Sequence, residues 1–189
     1  MELKFISIKN LFPRFYQTLP GLIKGTYYAV TGQTGTAKTK FCKFLFVTHA
    51  YNYCKEHDIP LKILYFALEE SVEKFWITIK CDILYEKYGE TITYYQYRGF
   101  HEGKTPLIQK HLDEIEPIIE DMKKYVEVVD FISNPTGMYK KVKEVMNTVG
   151  KIVEEVEDKD ELGNKWKSFE FKYDDENTHV LVIADHISL

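Results

Sequence analysis

The chain has 189 residues, 44% hydrophobic and 29% charged, an ordinary globular composition long enough for one domain with a substantial core. Its 25 Lys and Arg against 29 Asp and Glu give a formal charge of −4, which excludes a global basic field for nucleic acid but leaves a local basic groove open. No apolar run approaches the roughly 18 residues of a membrane span and "MELKFISIKN" has no apolar signal core, while Cys42, Cys54 and Cys81 are too few and too odd in number for a disulfide framework. A soluble protein of a reducing compartment, the cytoplasm, is expected, and no membrane partner.

Residues 1–24 read as a lead-in segment and 25–189 as the core of the domain. "GTYYAVTG" (25–32) is β-prone and runs into "TGQTGTAKTK" (31–40), after which apolar residues recur at helical spacing through "AKTKFCKFLFVTHAYNYCKEH". A strand, a glycine loop and a helix are therefore expected in that order. The loop follows G-x-x-x-x-G-K-[ST] except that Ala37 stands at the last glycine. In such a loop, backbone N–H groups and the helix N-terminus surround phosphates, the lysine reaches the β- and γ-phosphates, and the next hydroxyl binds Mg²⁺. Those roles fall to Gly32, Gln33, Thr34, Gly35, Thr36, Ala37, Lys38 and Thr39. Alanine is comfortable only at negative φ, so a negative φ is expected at Ala37, as for a residue entering a right-handed helix.

Cys54 and His57 have the C-x-x-H spacing, but no second ligand pair follows, and they read as helix residues rather than a metal site. "LKILYFAL" (61–68) is continuously apolar, as a parallel strand buried on both faces should be, and "EESVEKFWITIKCDILYEKYG" reads as a helix stopped by Gly89. Glu69 ends the strand where a carboxylate could orient an attacking water beside phosphates, whereas Glu70 is read equally well as a charge favoured at a helix N-terminus. "TYYQYRGFHEGK" (93–104) mixes aromatic and basic residues that could stack single-stranded bases, though packing or a surface loop is the plainer reading in a chain with 14 Tyr.

Thr105 and Pro106 open a helix expected to run to about Lys124, with a possible break at Pro117. "YVEVVDFI" (125–132) reads as a strand, "NPTG" as a turn and "MYKKVKEVMNTVGKIVEEVED" (138–158) as one long amphipathic helix. "KSFEFKY" alternates like an arm of a surface hairpin, and "VLVIAD" (180–185) like a central strand that presents Asp185 to the Mg²⁺ of a nucleotide. His186 is expected to point away from Asp185. The alternation of strand and helix makes the fold α/β, with a mostly parallel sheet flanked by helices, whose ligands gather at the carboxyl ends of the strands.

"TGQTGTAKT" preceded by "LPGLIKGTYYAV", together with "YFALEESVEKF" and "VLVIADHISL", resembles the RecA-like P-loop ATPase domain of replicative helicases of the DnaB and Twinkle type, nearest to the ring helicases of phage primase-helicases. The resemblance covers 20–80 and 125–189, with insertions near 86–124 and 160–178. By position it implies ATP and Mg²⁺ as cofactors, with phosphate held by Lys38, metal by Thr39 and Asp185, and water activated by Glu69. It further implies a hexameric ring that couples hydrolysis to translocation on single-stranded DNA, in a protein of viral origin within a host cytoplasm. The family's phosphate-sensing strand, DNA-binding loops and arginine finger follow the "DHISL" segment, so a fold incomplete at its C-terminal end is expected, as the first part of a longer helicase. Two other readings stand beside this one. The Glu69–Glu70 pair suits a RecA- or KaiC-like ATPase of recombination or regulation, and the net charge suits a nucleotide-binding interaction module without catalysis.

Overall fold

The computed structural model describes residues 5–33, 35–132, 134–159 and 165–185. Side chains are described except at 154–159 and 165–170. Two short strands open the chain, β1 (Ile6–Ser7) and β2 (Gly21–Leu22), paired antiparallel. Ile6, Ile8 and Leu22 are buried in the main core, so the lead-in segment packs as part of the body.

The helix after the glycine loop is continuous but wound in three ways: α1 (Lys38–Cys42), a π-helical segment (Lys43–His49) and α2 (Ala50–Glu56). The central strand β3 (Leu61–Ala67) leads to α3 (Val72–Tyr88), which Ser71 caps by accepting a hydrogen bond from the Lys74 N–H. Gly89 ends α3 in the left-handed region at φ 68°, as its sequence position suggested. A one-turn helix, α4 (Tyr94–Tyr97), is closed by a capping box between Thr93 and Gln96. Helix α5 (Pro106–Met122), capped by Thr105, runs through Pro117 without a break. Pro117 and Asp113, whose carbonyl it leaves without a donor, are both exposed, so water can serve that carbonyl.

Strand β4 (Val126–Val129) and helix α6 (Pro135–Met146) follow, then a hairpin of β5 (Gly150–Lys159) and β6 (Lys165–Tyr173), and finally β7 (His179–Asp185). The long helix expected over 138–158 is therefore corrected: it ends at Met146, and its second half pairs antiparallel with 165–173. Gly150 marks the change, because a Cβ there would meet the Lys172 carbonyl oxygen at 2.3 Å.

The sheet order is β4-β3-β7, all parallel, with Phe66 opposite Val129 and Ala67 opposite Asp185. Successive side chains of β3 enter different cores, as the period of two requires. Ile63, Tyr65 and Ala67 join the main cluster with residues of α2, α3 and α5, while Leu64 and Phe66 meet Val129 and Val145 on the other face. Full burial of side chains such as Leu64, Phe66 and Phe75 contributes about 1.5–3 kcal/mol each. Helices thus cover both faces, which explains why β3 is apolar throughout.

Two expectations about the sheet are corrected. Residues 26–31 form no strand, and Tyr27 is 86% exposed; β-prone side chains make a ladder only where a neighbouring strand completes it. For the same reason β7, which reads as a central strand, lies at the edge of the sheet among the described residues, with Val182 47% exposed. No helix among the described residues is long and apolar enough to cross a membrane.

Candidate functional site

Because β3, β4 and β7 are parallel and in register, their carboxyl ends share one edge, where Asp185 is the last residue of β7 and the segments after β3 and β4 carry Glu69, Glu70 and Asp130. The glycine loop meets this edge through its helix. Thr39 Oγ1 donates to Asp185 Oδ1 at 3.1 Å, joining residues 146 positions apart, and Tyr65 donates its hydroxyl to Asp185 Oδ2 at 2.8 Å. Both oxygens of Asp185 are thereby oriented. Burial, followed by Asp185, pushes the Tyr65 hydroxyl far above the ordinary tyrosine range, so it remains a donor.

Within the loop, Lys38 Nζ donates to the carbonyls of Gly32 at 2.8 Å and Gln33 at 2.9 Å, which brings the ammonium over the turn it closes. Thr36 Oγ1 donates to the Gln33 carbonyl at 2.7 Å, and a Cβ on Gly32 would lie 2.8 Å from that hydroxyl. Gly35 takes φ 84°, open to glycine and strained for other residues. Thr34 lies outside the described residues, as does His186 with the rest of the "HISL" segment.

Ala37 corrects an expectation. Its φ is 59° and ψ 29°, in the left-handed region, while its carbonyl already accepts from the Phe41 N–H at 2.9 Å. The residue sits just before the helix and makes the turn into it, and that turn needs positive φ, which is why glycine is the usual residue of the motif at this place. Alanine here is strained. Ala37→Gly is expected to raise stability by about 0.5–1 kcal/mol in urea denaturation, and a loss of stability would mean that this backbone conformation is not the one adopted.

The two strand-end glutamates separate. Glu69 is exposed, whereas the Glu70 side chain is only 8% exposed and lies 2.5 Å from Lys43 Nζ. The Glu70 oxygen that meets Lys43 is itself buried and has no other hydrogen-bond partner among the described residues. Helix α3 begins two residues later under the Ser71 cap, so Glu70 belongs to a buried ion pair and not to a helix N-terminus. Burial draws Lys43 below the ordinary lysine range, opposed first by Glu70 and at longer reach by Asp185 and Asp82. Asp185 also helps burial hold the Cys42 thiol up at about 11, which keeps it protonated.

Lys43, Tyr65 and Asp130 were not among the residues that the sequence singled out. Asp130 Oδ2 accepts from the Val72 N–H at 2.9 Å and so fixes the start of α3. Lys43 left a usable signal: it falls on the buried stripe with Val47, Ala50 and Cys54, where a lysine needs a partner. The 93–104 segment packs beside α3 through an Arg98–Glu73 ion pair and presents Tyr95 and Phe100 to solvent, 58% and 65% exposed. Among the described residues no cluster of three or more His, Cys, Asp or Glu has the arrangement of a metal site, and Cys54 is buried in the core. No family model, curated protein or solved structure matches the chain.

Proposed function

We propose that the chain carries a P-loop ATP site of RecA-like type and that it is part of a ring-forming replicative DNA helicase resembling DnaB. The observation that carries this reading is the Thr39–Asp185 contact of 3.1 Å, in which a loop hydroxyl and a strand-end carboxylate far apart in sequence converge on one point. Mg²⁺ favours hard oxygen ligands, usually one or two from protein with water and phosphate completing the shell, and these two oxygens fit it. Bound there, the ion supplies neutralisation of the phosphate charge.

The chain's own residues have the remaining roles. Lys38, now directed at the loop carbonyls, has the reach to exchange them for phosphate oxygens, whose charge makes stronger hydrogen bonds. By the motif, the backbone N–H groups of residues 32–37 are the ones to surround the phosphates, with the Thr36 N–H leaving the Gln33 carbonyl at 3.3 Å to do so, together with the start of a helix whose first N–H groups have no intrahelical partner. Glu69 is the group to orient the attacking water, being exposed at the sheet edge where the loop and Asp185 meet. Translocation on single-stranded DNA and assembly as a hexameric ring are proposed on the resemblance alone.

Glu69→Gln is expected to leave Mg·ATP affinity within about threefold and to lower steady-state turnover by about 10²–10⁴, the usual worth of a positioned acid–base group. Unchanged turnover would remove Glu69 from the chemistry. The adjacency of Glu69 and Glu70 also suits a RecA- or KaiC-like ATPase of recombination or regulation. Unwinding of a forked duplex separates the two, since the helicase reading requires it.

A further inference from the structure

The helix leaving the glycine loop has a lysine in its core stripe. Lys43, Val47, Ala50 and Cys54 recur at i, i+4, i+7 and i+11, and all four are buried. Besides the 2.5 Å contact with Glu70, Lys43 Nζ donates to Thr78 Oγ1 at 2.7 Å and lies 4.9 Å from the centre of the Phe75 ring. The Thr78 hydroxyl in turn donates to the Phe75 carbonyl at 2.7 Å or the Lys74 carbonyl at 3.0 Å. These partners all come from the β3–α3 bend or from α3 itself. The helix becomes π-helical at Lys43, and such wide turns re-aim individual side chains and gather at functional sites.

Stability does not account for the pair. A buried lysine–glutamate pair seldom outperforms apolar residues of the same volume, because removing both charges from water offsets their attraction. What the pair does accomplish is geometric. It fastens the helix that carries Lys38 and Thr39 to the bend that carries Glu69. With Glu70 held inward at 8% exposure, its neighbour Glu69 stands outward at the edge shared with Asp185.

We infer that Lys43 and Glu70 are a positioning pair that sets the distance between the phosphate loop and Glu69. This inference rests on the ATPase reading given above. It assigns neither residue a contact with substrate, so its mark is an effect on turnover without one on binding.

The test is Lys43→Met combined with Glu70→Met in the full protein, with Glu70→Gln alone as a second variant that keeps the shape of the side chain. Circular dichroism establishes folding, calorimetry gives Mg·ATP affinity, and phosphate release gives kcat and KM. Expected for both variants is an affinity and KM within about threefold of the parent and a kcat lower by at least about tenfold, since small displacements of a reacting group are costly. A parental kcat in either folded variant would overturn the inference and leave the ATPase reading standing. If the parent protein itself failed to bind Mg·ATP in a Lys38-dependent manner, the ATPase reading would fall, and the role of the pair with it.

Discussion

Replacing Lys43 alone by methionine is expected to cost about 3–5 kcal/mol of folding stability, the largest loss that a single charge removal among the described residues should produce. The lysine and Glu70 side chains are 2% and 8% exposed, so water cannot take over the solvation of the carboxylate left behind. Methionine nearly matches the volume and flexibility of the lysine stem, which confines the effect to charge and excludes a large cavity term. Restoring balance by adding Glu70→Met should recover most of the loss, because the uncompensated charge, not the missing contact, is what destabilises. Urea denaturation of the parent, the single variant and the double variant measures all three values. A Lys43→Met protein as stable as its parent would show that Glu70 reaches solvent or another cation, and the buried pair would have to be abandoned.

Strands β3 and β7 were legible because each is a run of apolar residues, a pattern that parallel strands under helices produce without help from the rest of the chain. The helix stop at Gly89 and the helix start at Thr105 were readable for a similar reason, because capping is local chemistry decided within a few residues of the helix end, whereas the helix expected from Glu69 begins only after the Ser71 cap. Where the fold depends on distant pairing, the reading failed. Val142, Val145, Val149 and Val153 keep helical spacing past Met146, yet residues 150–159 are a strand because 165–173 lie beside them. Residues 26–31 present the converse case, with the composition of a strand but without a neighbour among the described residues.

The candidate site divides along the same line. Lys38, Thr39 and Asp185 could be picked out by motif and by position at a strand end, and the structure brings the Thr39 and Asp185 side chains together. What the sequence could not supply was the direction of each glutamate, since the bend after β3 decides which of Glu69 and Glu70 turns inward. Lys43 was hidden by the habit of reading lysines on a helix as solvent-facing. Ala37 was misjudged because a motif records which residue is usual and not the backbone angle that makes it so.

The central claim is that residues 32–39 bind nucleotide phosphates, and calorimetric titration of Mg·ATP into the protein and into Lys38→Ala tests it most directly. Lys38 Nζ is within 2.9 Å of two loop carbonyls, a position from which its charge is delivered to whatever anion the loop encloses. Lys38→Ala keeps a good helix former at the start of the helix, and the hydrogen bonds it removes are to exposed loop carbonyls that water can serve, so the fold should persist. The account predicts binding by the parent and an affinity lower by at least about a hundredfold in the variant, equivalent to about 2.7 kcal/mol. Equal affinity in the two proteins, or no binding by a folded parent, would contradict it.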